Sequence, residues 1–147
     1  MTQQGDVILC QSNDNGEIEV INGIVSMDGG LRTSVYLSLF GGNEDDDGLQ
    51  NNAFTWWGNI DEAIESRKYI SRTQNIIDKI PATSSNLLKL QDAVENDLQW
   101  LLDDNVATSI DVAISIPGLN KVDILINIVS IDLEQNLQFS ANWKASI

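Results

Sequence analysis

Between Ser109 and Ile128 the chain alternates apolar and polar residues almost without a break. Ile110, Val112, Ile114 and Ile116 alternate with Ser109, Asp111, Ala113 and Ser115, and Val122, Ile124, Ile126 and Ile128 follow. Side chains along a strand point to opposite faces in turn, so a period of two predicts half-buried β-strands. Pro117-Gly118-Leu119-Asn120 supplies the turn between them. The parity slips near Val129-Ser130-Ile131, which predicts a bulge or a bend. Phe139, Ala141 and Trp143 then alternate in a third strand. Three such strands present one continuous apolar face, and that face requires a cover.

The strongest helical pattern supplies the cover. Leu87, Leu90, Val94, Leu98 and Leu101 recur at spacings of 3, 4, 4 and 3, with Trp100 at the flank. Thr83-Ser84-Ser85-Asn86 offers several N-caps, and Asn105 can close the helix in the left-handed conformation. A stripe this short fits a helix over Ser85–Asp103 packed on its own sheet better than a coiled coil. Pro81 ends a partly helical segment, Ile60–Ile80, in which Arg67, Lys68 and Arg72 can pair with Asp61, Glu62 and Glu65. Leu31, Val35 and Leu39, flanked by Tyr36 and Phe40, predict a short helix, with a strand as the rival reading of this nearly continuous apolar run. At the N-terminus, Asp6–Cys10 and Ile18–Ile21 read as two strands around the turn residues Ser12–Gly16. The expected fold is therefore α+β: an antiparallel sheet, comprising an N-terminal hairpin and three C-terminal strands, with one long helix across it and one or two shorter helices. Residues 1–147 form a single domain, with 137–147 as an edge strand open to use in assembly.

Charge and missing residue types exclude most chemistry. The 22 acidic and 8 basic residues give a formal net charge of -14, which repels phosphate backbones and anionic membranes. There is no histidine, so the commonest general base, the Ser-His-Asp triad and most zinc sites are absent. Neither a P-loop nor a GxGxxG pattern occurs. Cys10 is the single cysteine, which excludes an internal disulfide and assigns it a structural role. Asn43-Glu44-Asp45-Asp46-Asp47-Gly48 follows the first half of a calcium loop, but Phe54 stands at the twelfth position, where a bidentate Glu is required. No metal, cofactor or catalytic residue is expected. A carboxylate pair of the glycoside-hydrolase kind is the surviving enzymatic option, and a chain this acidic produces such pairs by chance. No apolar run reaches membrane-spanning length and Met1-Thr2-Gln3-Gln4 lacks a signal peptide's features, so a soluble protein made in the cytoplasm is expected.

An interaction protein is the better class. Trp56 and Trp57 are adjacent, so in an extended segment their rings diverge, and one is expected to pack inward while the other meets a second surface. Trp56, Trp57, Gly58, Asn59, Phe139 and Trp143 are the candidate interface residues.

Three segments, in order, resemble a known family. Leu31–Phe40 is similar to an "apolar–Ser–Leu–Phe" element, Trp56-Trp57-Gly58-Asn59 to a Trp-Trp-Gly-Asp element, and Asp97-Leu98-Gln99-Trp100-Leu101-Leu102-Asp103-Asp104-Asn105-Val106-Ala107 to a "Trp-Leu-acidic-x-Gly-Val-Ala" helix exit. The family is the baseplate protein of Mu-like contractile-tail bacteriophages, distantly akin to the small wedge protein of T-even phages. Asn59 and Asn105 depart from it, each replacing a residue with similar turn preferences. The resemblance implies a structural baseplate subunit in sixfold-symmetric copies, linking hub and inner baseplate to wedge and first sheath ring. The implied partners are wedge, hub, sheath and tube proteins, and the implied location is the virion tail after synthesis in the host bacterial cytoplasm. The alternatives are a small acidic lysozyme-like hydrolase and an acidic inhibitor protein.

Overall fold

The computed structural model describes residues 5–12, 15–28, 30–41, 71–131 and 134–146. Nine strands and four α-helices occur among them: β1 (Asp6–Val7), β2 (Leu9–Ser12), β3 (Asn15–Ile18), β4 (Val20–Ile21), β5 (Ile24–Val25), β6 (Met27–Asp28), α1 (Arg32–Phe40), α2 (Arg72–Lys79), α3 (Leu87–Asp97), α4 (Gln99–Asp103), β7 (Ser109–Ser115), β8 (Lys121–Val129) and β9 (Glu134–Asn142). The class is α+β, as expected.

The body is the antiparallel sheet β7-β8-β9. Its register follows the alternation: Val112 pairs with Ile126, Ile114 with Ile124, and Ile124 in turn with Phe139. Val122, Ile124, Ile126, Ile128, Leu137, Phe139 and Ala141 point inward and are buried. The other face is mostly polar, with Leu125 exposed on it. There Ser140 donates to Asp123, and the Asn127 amide donates to Glu134 and Asn136. Asn120 turns the chain with φ 59, a conformation asparagine tolerates better than most residues. The slip near Ser130 is the end of β8 at Val129, a bend out of the sheet, and Ile131 beyond it is 89% exposed.

Helices cover the inner face. Leu90, Val94, Leu98 and Leu101 are fully buried, so the apolar stripe does face the sheet. The helix breaks at Leu98 (φ -98, ψ 0), which divides α3 from α4. Its start also departs from expectation, because Ser84, Ser85 and Asn86 form a 3-10 turn after Thr83, and neither Thr83 nor Asn86 makes a side-chain cap bond. The Asn86 amide instead donates to the Pro81 carbonyl. The exit behaves as the sequence predicts. Asn105 takes φ 59 while the N–H groups of Asn105 and Val106 donate to the carbonyls of Leu102 and Leu101, the two bonds of a Schellman motif. Arg32–Phe40 is a helix, settling its rivalry with a strand, and Val35 and Leu39 are fully buried.

The N-terminal strands pair among themselves as three two-stranded ribbons, β1-β6, β2-β3 and β4-β5. They meet in a closed ring of backbone hydrogen bonds, each 2.9 Å: Ile8 N–H to Ser26, Ser26 N–H to Glu19, and Glu19 N–H to Ile8. A hairpin is present as β2-β3, with Cys10 opposite Glu17, but its strands are shorter and shifted from the expected ones: Asp6–Val7 pairs with Met27–Asp28, Val20–Ile21 with Ile24–Val25, and none of these strands joins the C-terminal sheet. The second hairpin, β4-β5, turns at Asn22-Gly23 with φ 52 and 78, the sign pattern of a type I′ turn. The Thr33 hydroxyl donates to the Val7 carbonyl and ties the ribbons to α1. Gln135 of β9 accepts the Leu31 N–H at 3.1 Å, fixing the start of α1 over the sheet edge.

Candidate assembly interface

The structure divides the six candidate interface residues. Trp56, Trp57, Gly58 and Asn59 lie outside the described residues, as do the acidic loop at 43–52 and the Arg67-Lys68 pair. Phe139 and Trp143 are described, and both are core residues. Trp143 has no exposed surface, and its indole N–H donates to the Ile80 carbonyl at 2.6 Å. Phe139 sits 6.1 Å from the Tyr36 ring and 6.3 Å from the Phe40 ring, edge-on to the latter, with the Arg32 guanidinium 5.4 Å from its centroid.

The expectation that these two rings anchor a partner is therefore corrected. Alternation places Phe139, Ala141 and Trp143 on one face, and α1 and the segment before Pro81 already occupy that face. The backbone around them is tied as well. Trp143 N–H donates to the Asn120 carbonyl, Ala82 N–H to the Lys144 carbonyl, and Ala145 N–H to the Asn120 side chain. The other face of β9 is polar and points away from the core. Neither β7 nor β9 has a further paired strand among the described residues.

A second feature, invisible in the sequence, is a buried polar seam joining α1, α2 and α3. The Ser71 hydroxyl donates to the Ser38 carbonyl at 2.8 Å, which sets the start of α2 beside the end of α1. Asp97, the last residue of α3, accepts the N–H groups of Arg72 and Thr73, the first two residues of α2, at 2.9 and 2.8 Å. The cap of α2 is thus a carboxylate from another helix, while its own preceding residue, Ser71, makes no side-chain cap bond. Burial pushes the Asp97 carboxyl up from 3.8 to about 6, against the opposite pull of those two N–H groups. Both oxygens are committed to backbone donors, so this carboxyl is a structural group. The Trp100 indole N–H donates to the Ser38 hydroxyl at 2.9 Å, and that hydroxyl donates to the Ser34 carbonyl at 2.8 Å.

The Ser38–Trp100 bond joins the two described segments that carry the resemblance, the Ser-Leu-Phe helix and the Trp-Leu helix exit. A profile of the family described as "Phage protein GP46" matches residues 31–136. The chain belongs to this phage protein family. Comparison with characterised proteins and with solved structures gave no significant match. The GP46 match begins at Leu31 and reaches Asn136, so it takes in α1, the seam and most of the sheet, and leaves the N-terminal ribbons outside. No helix among the described residues of this GP46 protein is long and apolar enough to cross a membrane, and no cluster of metal-ligating side chains occurs among them.

Proposed function

We propose that this phage protein is a structural subunit of a contractile-tail baseplate, joining hub and inner baseplate to the wedge and first sheath ring. The observation that carries the reading is the direct bond between Ser38 and Trp100. Two segments that resemble baseplate elements, far apart in sequence, form one joint in a chain whose family is a phage family. Membership of a phage family accords with a place in the virion, and the baseplate is where the resemblance puts it. The chain works without catalysis in this reading: Asp97 is spent on capping α2, and no histidine is present to act as a base. Its partners are other wedge and hub proteins together with sheath or tube, arranged around a sixfold axis. The outer edge of β9 offers backbone donors and acceptors for sheet extension by one of them.

The test is to purify tails of the phage that encodes the chain, quantify the protein by mass spectrometry and locate it by cryo-electron microscopy. Density for the sheet and α1 in the baseplate, repeated around the tail axis, is the expected result. Absence from the particle, or a position in the capsid, refutes the proposal.

A further inference from the structure

The ribbons before α1 end in a hairpin that is apolar on both faces. Val20 pairs with Val25 and Ile21 with Ile24, so one aliphatic pair points each way. All four side chains are exposed, from 42% for Val25 to 60% for Ile24, and Ile18 and Met27 extend the same exposed strip. A ribbon that packs on its own domain hides one face, whereas the described residues cover neither face of this one. Large aliphatic side chains exposed together on one short ribbon are a feature of surfaces that bind something. A lone two-stranded hairpin is marginal in water, and the ring of bonds through Ile8, Glu19 and Ser26 holds this one in place.

Charge selects the partner. Residues 1–31 carry Asp6, Asp14, Glu17, Glu19 and Asp28 and no lysine or arginine. A second copy would set these acids against themselves in a chain of net charge -14. A cleft that is apolar inside and lined with lysine or arginine at its mouth satisfies both the aliphatic faces and the acidic flank. The arm also lies outside residues 31–136, the span of the family match.

We propose that the β4-β5 hairpin is a docking arm that inserts into an apolar, basic-rimmed cleft of a different protein in the same particle. The proposal rests on the assembly reading above. The experiment complements the phage with the chain carrying Ile21→Asn and Ile24→Asn together. It measures copies per purified tail, the Tm of the isolated full-length chain, and carbodiimide cross-links from Glu17 and Glu19 in wild-type tails. Expected are a Tm within about 2 °C of wild type, incorporation reduced about tenfold or more, and cross-links to lysines of another protein. Normal incorporation overturns the proposal. A large fall in Tm overturns it by showing that the chain's own residues cover the arm, and cross-links between copies of this chain overturn it in favour of self-association. Wild-type protein missing from the tails would sink the assembly reading along with it, a result distinct from loss of the variant alone.

Discussion

Replacing Asp97 by asparagine should abolish a specific part of the protein's pH dependence. The carboxyl titrates at about 6 in the folded chain against 3.8 as its ordinary value. The folded state therefore takes up the proton first as pH falls. The stabilisation by that proton is complete below 3.8 and is lost as pH rises through about 6. Linkage over this gap gives about 1.4 kcal/mol of added stability at pH 5 relative to pH 7.5, rising to about 2.4 kcal/mol near pH 4. Other carboxylates also titrate in this range, and the net charge of -14 relaxes with them. Subtracting the Asp97→Asn profile from the wild-type profile cancels that shared background. Urea unfolding followed by circular dichroism at pH 5, 6, 7 and 7.5 is the assay, kept above the sequence pI of about 4.1 to avoid isoelectric association. The wild-type advantage over Asp97→Asn should grow by about 1.4 kcal/mol between pH 7.5 and pH 5, about 3–5 °C in Tm for a chain of this size. Parallel profiles would refute the reasoning, because they would mean that Asp97 titrates alike in the folded and unfolded chain.

Five other variants, at the terminal strand and at the helix exit, follow from the geometry. Trp143→Ala should cost about 3–5 kcal/mol as a core truncation, and Trp143→Phe about 1–3 kcal/mol by leaving the Ile80 carbonyl without its donor, both read from denaturant midpoints; deleting Gln138 to Ile147 should leave no cooperative transition in circular dichroism. At the helix exit, Asn105→Ala should lower stability by about 1 kcal/mol because alanine strains at φ 59, while Asn105→Gly should leave it level or raise it slightly in the same measurement.

The parts of the fold that the sequence discloses are those in which periodicity alone decides. Alternation from Ser109 to Ile128 needs only neighbouring residues to be read, and the register of β7 on β8 follows from it. The same alternation groups Phe139, Ala141 and Trp143 on one face, yet cannot say whether a helix of the same chain or a partner covers that face. That question is settled by α1 and Ile80, which lie far away in sequence. The Asp97 cap is illegible for the same reason: its donors are 25 and 24 residues distant, and nothing local marks an aspartate at the end of one helix as the start of another. The hydroxyls before α3 mislead in the opposite direction, since Thr83 and Ser85 bond to each other at 3.0 Å and leave the start of that helix without a side-chain cap. The Asn22-Gly23 turn is different. An Asn-Gly pair between Val20-Ile21 and Ile24-Val25 is a strong hairpin signal in its own right, overshadowed here by the denser run of turn residues at Ser12–Gly16.

The ring of bonds through Ile8, Glu19 and Ser26 has a mechanical consequence. In an ordinary ladder the end bond can open first and the rest unzip behind it. Here each of three residues both gives to one neighbour and receives from the other, so no bond is at an end. A pull on the tip at Asn22-Gly23 reaches the ring through two strands at once and is divided among three ribbons, one of which, β1-β6, leads on through Val7 to Thr33 of α1. A one-residue slip in any ribbon would break the closure, so register in each is enforced by the other two. The arm is thereby a strut: it can transmit load to the body of the protein before it yields.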